Sequence, residues 1–498
     1  MQGNGLPQLD EQMPALVRRD VVIVGGGPAG IIAALTLSEL NIDVLLIDEH
    51  EIPGGQYYKP RAEGLVATRG SFRPRGEQIR ARLKASNVEV WSSSFVWGVS
   101  DDREQLLVSR TTEAGDTIQS RIKFRKLICA TGAYEAMIPF PGWTNPRVIT
   151  AGYALHLAAC DGVRVGRRVV LAGSGPFLLQ VACELIMNGS KVEAVVEAGA
   201  PYSPSLTSAS ALRFPARIKE FLHYRGLLAL HRVPVLQQSA VTAVRDLGPN
   251  GVQATITGLT TKSSRVFEAD TVAIGYGFRP STELARMLGC GMTTIRPEGE
   301  EFVATDGFGR TSRNDIFAIG EISGIAGVHA AMARGEQSAL AIASALGKPV
   351  PTRRQKRLAR VTARLDAFAA LNRVLFPFPE HLFALMQPDT IACRCEAVTV
   401  ENIHADFATG WNDRDAVKGS SRAGMGICQG RECFRTLQWL TGGAAGIGRS
   451  EGANCEMSRA QVSRIPIKPL LIDDLLERDD VMAVDTVRED GQPAEPIA

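Results

Sequence analysis

Four cysteines towards the end of the sequence have the residue type and spacing of ligands. Cys393-x-Cys395 is followed, after 32 residues, by Cys428-x-x-x-x-Cys433. Four thiolates suit either a tetrahedral zinc ion or an iron–sulfur cluster. Zinc ribbons favour C-x-x-C pairs, and plant-type ferredoxins also have a different spacing. The cysteines therefore predict a bound metal centre, and their spacing alone leaves its kind open.

A glycine-rich turn near the start of the sequence predicts a nucleotide site. Gly25-x-Gly27-x-x-Gly30 follows an apolar, β-branched strand at 21–24 and opens an apolar stretch with helical spacing. Gly25 permits the tight turn, Gly27 lets the backbone approach a pyrophosphate, and Gly30 lets the helix pack close to the strand. The pyrophosphate would then lie on the amide groups at the helix N-terminus.

The strand predicted after this helix ends in acidic residues. It covers residues 44–47, and Asp48 comes 18 residues after Gly30, with Glu49 beside it. A carboxylate in this position accepts a hydrogen bond from a ribose hydroxyl. Strand, turn, helix, strand and acid together predict a βαβ unit that binds a dinucleotide.

A similar unit recurs at 168–197. It has a strand, Gly173-x-Gly175, a helix, a second strand and a terminal acid, Glu197. The third glycine of the pattern is replaced by Leu178, whose side chain should push the helix away from the strand. The unit therefore either binds a second nucleotide, NAD(P) or ATP, or is purely structural, and the sequence leaves both alternatives open.

Several other segments have the small residues that allow a backbone to approach a cofactor. They are the loop at 52–58, the strand and turn at 127–133, the strand and turn at 270–280, and the strand, loop and helix at 315–343. An ordinary strand-to-loop turn needs the same residues, so each segment gains its meaning only from the others.

Composition and charge limit the function classes. The 498 residues contain 55 Lys and Arg against 53 Asp and Glu, so no net charge attracts nucleic acid. The basic segment at 346–364 lacks the interleaved aromatics of a nucleic-acid site and is predicted to be a connecting helix or a docking face for another protein chain. Residues 1–20 do not resemble a secretory signal, and no run of 18 apolar residues predicts a transmembrane segment. We expect a cytoplasmic protein, with peripheral binding to the inner face of the membrane left open.

The remaining cysteines do not indicate disulfide chemistry. No C-x-x-C or C-x-x-x-x-C pair precedes Cys428, and the chain has no export signal. The cysteines outside the cluster are predicted to be core residues: Cys129, Cys160, Cys183, Cys290 and Cys455.

Four segments, in their order and spacing, resemble the FAD-dependent pyridine-nucleotide-disulfide-oxidoreductase superfamily: GGGPAG at 25–30, CATGA at 129–133, AIGYGFRP at 273–280 and AIGE at 318–321. The resemblance implies an FAD domain that is split by an inserted nucleotide-like domain. It also places Glu321 where the superfamily usually has an aspartate near the FAD ribitol and phosphates. The residues expected to bind cofactor are Gly25, Gly27, Pro28, Ala29, Gly30, Asp48, Glu49, Gly55, Gln56, Val96, Ala130, Thr131, Gly132, Gly320 and Glu321, with Gly173, Gly175 and Glu197 for a second nucleotide.

The cysteine segment resembles a second known module. CRCEAVT at 393–399 and SSRAGMGICQGREC at 420–433 are similar to the BFD-like [2Fe-2S] domain. The resemblance implies that Cys393, Cys395, Cys428 and Cys433 are the cluster ligands. Glycines at 424, 426 and 430 would let backbone amides point at the sulfurs and tune the potential.

Over residues 20–470 the chain resembles a family of enzyme components that includes the α component of opine oxidases, the α component of D-hydroxyproline dehydrogenase and the HcnB component of hydrogen cyanide synthase. The resemblance implies that a D-amino-acid-oxidase-like partner chain oxidises the substrate amine at its own flavin. The imine then hydrolyses to a keto acid and an amine. This chain would carry the electrons through its cluster and FAD towards a respiratory-chain or quinone acceptor, and a small third component is a further expected partner.

The predicted fold is α/β, with two Rossmann-like nucleotide-binding domains and a small helical BFD-like domain. The predicted boundaries are 20–151 and 268–346 for the FAD domain, 152–267 for the inserted domain, 347–388 for a basic helical linker, 389–445 for the cluster domain and 446–498 for a C-terminal arm and tail. Two alternatives to an electron-transfer subunit for an octopine- or nopaline-type opine remain. One is a self-contained NAD(P)H-dependent flavoprotein reductase, against which Leu178 counts, and the other is a scaffold with structural cofactors.

Overall fold

The computed structural model describes residues 16–62, 73–112, 114–201, 211–295, 300–408, 414–442 and 463–471. Most of the predicted C-terminal arm and tail, and Cys455, lie outside the described residues.

The described strands are numbered along the chain. They are β1 (Leu16–Val24), β2 (Val44–Ile47), β3 (Glu89–Trp91), β4 (Ser94–Val99), β5 (Gln105–Thr111), β6 (Thr117–Cys129), β7 (Ala133–Glu135), β8 (Val148–Thr150), β9 (Arg168–Gly173), β10 (Lys191–Glu197), β11 (Val235–Leu236), β12 (Ser239–Asp246), β13 (Val252–Gly258), β14 (Ser264–Ala269), β15 (Thr271–Gly275), β16 (Phe278–Pro280), β17 (Met292–Ile295), β18 (Glu300–Val303), β19 (Ile316–Ala318), β20 (Ile391–Cys393) and β21 (Val398–Thr399).

The described α-helices are numbered in the same way. They are α1 (Pro28–Ser38), α2 (Arg73–Lys84), α3 (Ala151–Ala159), α4 (Phe177–Met187), α5 (Pro215–Leu230), α6 (Glu283–Met287), α7 (Val328–Ala345), α8 (Thr352–Leu375), α9 (Val400–Ala408), α10 (Arg414–Ser421) and α11 (Phe434–Gly442). Short 3₁₀ turns occur at Gly248–Asn250, Gly320–Ser323 and Glu380–Leu385.

The first sheet is built around β1 and has the order β3-β2-β1-β6-β5-β4. Strands β1, β2, β3 and β6 are parallel, and the four apolar residues at 21–24 are buried because both faces of this part of the sheet are covered. The long strand β6 pairs with β5 at its start and with β19 at its end. The predicted strand at 44–47 is confirmed as β2.

The second sheet has the order β11-β10-β9-β15-β8, and its described pairs are parallel. Strand β9, helix α4 and strand β10 form the second βαβ unit that the sequence predicts at 168–197. A separate antiparallel sheet, β12-β13-β14, packs in the same core. Because β19 follows all of these strands in sequence and pairs with β6, the chain leaves the first sheet, builds the second and then returns. The exact domain boundaries stay predictions.

Two helices bring the return segment against the first glycine turn. A Cβ on Gly335 in α7 would lie 2.4 Å from the carbonyl oxygen of Ala29 in α1. The two helices therefore pack with their backbones almost in contact, which only small residues allow. Helix α8 follows α7 and ends at Leu375, before Pro377, as the basic connecting segment predicts.

A third module follows α8. It consists of the hairpin β20–β21 and helices α9, α10 and α11 around a small apolar core of its own. Two of the four clustered cysteines, Cys393 and Cys433, are buried in that core. Since each helix in it has 9 residues or fewer, the module depends on tertiary packing for its stability.

Candidate functional site

The first glycine turn has no room for side chains at two of its three glycines. Gly25 has a φ of 110°, and a Cβ there would lie 2.3 Å from the carbonyl oxygen of Ala130. A Cβ on Gly30 would lie 2.0 Å from the carbonyl oxygen of Gly25, so α1 packs directly on the turn. At Gly27 nothing lies within 4 Å of the Cβ position. The protein itself does not require glycine at 27, and the open space there suits a pyrophosphate.

Helix α1 begins where this pyrophosphate would lie. Pro28 occupies the first helical position, where its missing N–H is not needed, and Ala29 is buried behind it. The amides of the first turn lack acceptors within the helix. They are therefore available to an anion.

Asp48 is buried at the end of β2 and ties the turn to this strand. Its Oδ2 accepts a hydrogen bond from the amide of Gly26, and its Oδ1 accepts one from the amide of His50 at 2.8 Å. The ring Nδ1 of His50 lies 3.1 Å from the same Oδ1, and this hydrogen bond raises the pKa of His50. Glu49, by contrast, points to the surface and forms an ion pair with Lys468.

The loop after β2 covers the same turn from the other side. The amide of Gly54 donates to the carbonyl of Gly26 at 2.8 Å. Gly55 has a φ of 57°, and its Cβ would lie 2.9 Å from the Cα of Gly27. The neighbouring Gln56 is exposed. A cofactor held above Gly27 would therefore pass along this loop.

The turn after β6 closes a third side. The amide of Ala130 donates to the carbonyl of Val24 at 2.8 Å. Thr131 Oγ1 donates to the carbonyl of Ser281 at 2.6 Å, and the amide of Ser281 donates back to the carbonyl of Gly132 at 2.9 Å. Gly132 has a φ of 76° with nothing within 4 Å of its Cβ position.

The return segment supplies the fourth side. Gly320 has a φ of 76°, and its Cβ would lie 3.2 Å from the Cβ of Ala29. Glu321 accepts hydrogen bonds from the amides of Ala326 at 3.2 Å and Gly327 at 2.9 Å, just before α7 begins. Burial raises the pKa of Glu321 to about 7. The guanidinium of Arg334 acts in the opposite direction on that pKa.

The second βαβ unit repeats this arrangement with changes. A Cβ on Gly173 would lie 1.8 Å from the carbonyl oxygen of Gly275, whereas the Cβ position of Gly175 is open. Glu197 is buried and accepts from the amides of Gly175 and Gly199, each at 3.0 Å. Burial raises the pKa of Glu197.

The expected effect of Leu178 is offset within the sheet. The Leu178 side chain is buried, and its Cδ2 lies 4.0 Å from the position that a Cβ on Gly275 would occupy. The space that a third glycine would have given to the helix is therefore supplied by the missing side chain of a neighbouring strand.

The four clustered cysteines are brought together as two pairs. Cys393 and Cys433 are hydrogen-bonded through their thiols, and so are Cys395 and Cys428. The thiol of Cys433 also interacts electrostatically with the other three. Among the described residues, no three His, Cys, Asp or Glu side chains are grouped to hold a single metal ion.

Backbone amides surround the inner sulfur of this cluster. The amide of Gly424 lies 3.5 Å from Sγ of Cys393, so the predicted amide-to-sulfur contact is present there. The Cys433 thiol and backbone amides, in that order of importance among the lowering effects, bring the pKa of Cys393 down to about 6. Burial raises the pKa of Cys395 to about 11. Gly426 has a packing role instead, since its Cβ would lie 2.3 Å from the Cβ of Cys395.

Comparison with known proteins gives a family for this fold. The family model described as pyridine nucleotide-disulphide oxidoreductase matches residues 19–335. The chain belongs to the pyridine nucleotide-disulphide oxidoreductase family. The predicted α/β class with Rossmann-type sheets is therefore confirmed, and the protein is an oxidoreductase.

Within this oxidoreductase family, components of larger enzymes match most of the chain. The A-type component of opine oxidase from Agrobacterium tumefaciens is 31% identical over 441 residues, covering 84% of this chain and 84% of that protein. The HcnB component of hydrogen cyanide synthase from Pseudomonas aeruginosa is 32% identical over 437 residues, covering 83% of this chain and 90% of that protein. The crystal structure of L-proline dehydrogenase from P. horikoshii has the same fold, with a TM-score of 0.64 and 20% identity over 93% of this chain and 81% of that one. The expected relation to this opine oxidase component and to HcnB is confirmed.

The remaining predicted positions of this oxidoreductase are placed as follows. Val96 is buried in β4, within the core on one face of the first sheet. The core assignment of four cysteines is confirmed: Cys129, Cys160, Cys183 and Cys290 are buried and free. No helix in the part of the chain that the structure describes has the length and apolar character to cross a bilayer.

Sequence reasoning missed two groups of residues at the site. His50 stands two positions after Asp48, and that spacing was the available signal. The other group is the contact between Arg431, Tyr134 and Glu283, which joins the cysteine module to the rest of the oxidoreductase. The position of Arg431 between two clustered cysteines was its only signal, because its partners are remote in sequence.

Proposed function

We propose that this chain is the FAD- and [2Fe-2S]-carrying electron-transfer subunit of a multi-subunit enzyme that oxidises an opine-type amine. The observation that carries the proposal is the arrangement of the four cysteines as two thiol pairs on the same chain as the glycine-lined dinucleotide fold. Flavin exchanges electron pairs and an iron–sulfur cluster exchanges single electrons, so the two groups together suit electron relay.

The residues of the first unit fit FAD. The open Cβ position of Gly27 and the first turn of α1 suit the pyrophosphate, and Asp48 suits the ribose. Gly55 and the turn at 130–132 line the path of the flavin ring. Glu321 lies where its carboxylate orders the loop before α7.

The cysteine pairs fit a two-iron centre better than a zinc ion. Each iron of a [2Fe-2S] cluster takes two protein ligands, whereas a structural zinc ion takes four around one point. Cys393 with Cys433 and Cys395 with Cys428 supply two such pairs. The amide of Gly424 on Cys393 is the kind of outer contact that tunes a cluster potential.

The names of the relatives support the assignment to a larger enzyme. The opine oxidase and hydrogen cyanide synthase relatives are each named as one subunit of their enzyme. We propose that a D-amino-acid-oxidase-like partner oxidises the C–N bond of an octopine- or nopaline-type opine, with a small third component present. Electrons then leave through this chain to a respiratory-chain or quinone acceptor, in the cytoplasm or at the inner face of the membrane.

A second nucleotide in the inserted unit is a separate part of the proposal. The open Cβ position of Gly175 and the hydrogen bond between Gly175 and Glu197 match the first unit and favour a bound adenine nucleotide, NAD(P) or ATP. Calorimetric titration with each nucleotide, in Glu197→Gln as well as in the natural chain, tests this part independently.

Anaerobic purification tests the cofactors. We expect flavin, iron and acid-labile sulfide in the natural chain, with iron and sulfide lost and flavin kept in Cys428→Ser. Cys290→Ser is the matched control, because Cys290 is buried away from the cluster and hydrogen-bonds to Thr311, which a serine can also do. A chain that holds zinc and no sulfide would contradict the proposal.

Assays with the partner chains test the reaction. Opine-dependent dye reduction should require both the partner and an intact Cys428. Bleaching of the flavin by NADH in the isolated chain would instead support the self-contained reductase. Unchanged activity of the complex after Cys428→Ser would support a structural role for the cofactors.

A further inference from the structure

The cysteine module meets the rest of the protein through a buried ionic patch. Its residues are Tyr134, Arg279, Glu283, Arg286, Glu300 and Glu301 from the flavin-binding part, and Arg431 and Arg435 from the module, and together they line a small polar cavity or pair with its walls. Arg279 lies 3.0 Å from Glu300, and Arg435 lies 3.1 Å from the other oxygen of the same carboxylate. These side chains are almost fully enclosed, so the contact is not a chance surface pairing.

Arg431 is the member of this patch that reaches the cysteines. It stands in the loop between Cys428 and Cys433. Its Nη1 donates to the carbonyl of Cys428 at 3.2 Å and to Gln429 at 2.9 Å, and its Nη2 donates to the carbonyl of Ile467. Its positive charge also interacts with the thiol of Cys428.

The other edge of the same guanidinium faces the flavin-binding part. Nε of Arg431 lies 3.1 Å from the hydroxyl of Tyr134 and 3.1 Å from Oε1 of Glu283. The Tyr134 hydroxyl is 2.7 Å from Oγ of Ser281, whose amide donates to the carbonyl of Gly132. One unbroken series of contacts therefore links the Cys428 loop to the turn at 130–132.

The patch has an excess of positive charge. Four arginines, at 279, 286, 431 and 435, face three glutamates, at 283, 300 and 301. Loss of the charge on Arg431 would leave Glu283 without this cation beside it, because Glu283 pairs with Arg431 within the patch. The local charge near the cysteines would then become more negative. The potential of an iron–sulfur centre depends on the charge and hydrogen bonds around its sulfurs.

We propose that Arg431 is a positioning residue that fixes the Cys428 loop on the flavin-binding part and, through its charge, raises the reduction potential of the centre held by the cysteines. The inference rests on the proposed [2Fe-2S] centre and deepens it. A positive charge favours the reduced, more negative state of the centre, whereas Glu283 opposes this effect. The balance between Arg431 and Glu283 therefore sets how readily the centre takes an electron from its neighbour.

Redox titration of the anaerobically purified full chain, followed by electron paramagnetic resonance, tests the inference. Arg431→Gln should move the midpoint potential of the centre to a more negative value, with iron and flavin contents unchanged. Arg431→Lys keeps the charge and should recover most of that shift. Glu283→Gln should move the potential in the opposite direction, to a more positive value. A purely structural role would not produce opposite shifts for the two partners.

The matched control is Arg422→Gln. Arg422 belongs to the same module and pairs with Glu396 at 2.9 Å, but its side chain is 67% exposed, so water screens its charge. Its substitution should leave the potential unchanged. Equal potentials in Arg431→Gln, Glu283→Gln and the natural chain, all loaded with iron, would overturn the inference. If Arg431→Gln does not fold, the sign of the Glu283→Gln shift decides alone. A natural chain without iron and sulfide would instead defeat the proposed function.

Discussion

The two βαβ units differ most at the third position of their glycine turns. In the first unit a Cβ on Gly30 would lie 2.0 Å from the carbonyl oxygen of Gly25, so only glycine lets α1 pack onto the turn. In the second unit Leu178 occupies that position and is buried, with the missing side chain of Gly275 providing its space. The first solution draws the helix onto the turn, whereas the second fills the same gap with a side chain. Close packing of the helix is thus separable from the βαβ topology.

The acids at the ends of the second strands differ in their surroundings rather than in their backbone contacts. Asp48 and Glu197 each accept an amide from the glycine turn and another from two residues further along. Asp48 also has the ring of His50 beside it, whereas Gly199 offers no side chain to Glu197. The carboxylate of the first unit therefore has a nearby group that can become positive, and that of the second depends on backbone amides for its described contacts.

The largest expected effect separates the third positions. Gly30→Ala should remove most of the bound flavin and cost about 3 kcal/mol of unfolding free energy, because its Cβ would overlap a backbone oxygen. Leu178→Ala should cost about 2–5 kcal/mol through a cavity and leave the flavin bound. Flavin absorbance per chain and urea unfolding measure the two effects. Flavin retention in Gly30→Ala equal to that in Leu178→Ala would show that close packing is not needed for binding.

The second expected effect separates the middle glycines. Gly27→Ala introduces a Cβ into open space at a φ of −72°, so the fold should keep its stability. The methyl group would block a pyrophosphate, and loss of one charge-assisted hydrogen bond, about 1.5–3 kcal/mol, should weaken flavin binding about ten- to hundredfold. Titration of the flavin-free chain with FAD measures this affinity.

Gly175→Ala is the matched variant in the second unit. Gly175 has a φ of 127°, so an alanine there is strained and should cost about 1–3 kcal/mol of unfolding free energy. FAD affinity should stay the same. If Gly27→Ala bound FAD normally, the open space at Gly27 would not be the pyrophosphate site.

The third expected effect uses the pH dependence of the two acids in the flavin-free chain. Burial raises the pKa of Glu197 above its ordinary value of 4.5, so the folded state holds that proton more tightly and stability is lost as the pH rises through the raised pKa. Glutamine resembles the protonated acid. Glu197→Gln should therefore match the natural chain at pH 4 and exceed it at pH 8, as urea unfolding can measure.

Asp48→Asn should show the opposite trend. The hydrogen bond with Asp48 raises the pKa of His50 above 6.5, so its stabilising effect is complete below that pH and is lost as the pH rises through the raised pKa. The asparagine variant should be less stable than the natural chain at pH 6, by about 1–3 kcal/mol, and this deficit should shrink at pH 9. Parallel pH trends in the two variants would refute the contrast between the acids.

The residues of each turn could be predicted from the sequence because they are local. Gly25, Gly30 and Asp48 act on neighbours within one βαβ unit, and their spacing is enough to identify them. The accommodation of Leu178 by Gly275 could not be predicted in this way, because it depends on which strand lies beside β9. The same reason hides the contact between Arg431 and Tyr134, which are 297 positions apart. Side chains that meet through the return of the chain have no signature in local spacing.

The smallest expected effect concerns the position after each acid, where the first unit has Glu49 and the second has Ala198. Glu49 forms an ion pair with Lys468, and both side chains are at least one-third exposed to solvent. Such pairs contribute about 0–1 kcal/mol and are weakened by salt. Glu49→Ala should therefore lower the unfolding free energy by less than about 1 kcal/mol, with no difference at high salt, and leave FAD affinity unchanged. Lys468→Ala is the control, since it removes the same pair from the other side. Loss of FAD affinity in Glu49→Ala but not in Lys468→Ala would mean that Glu49, rather than Asp48 alone, binds the ribose, and the resemblance between the two acids would then be only topological.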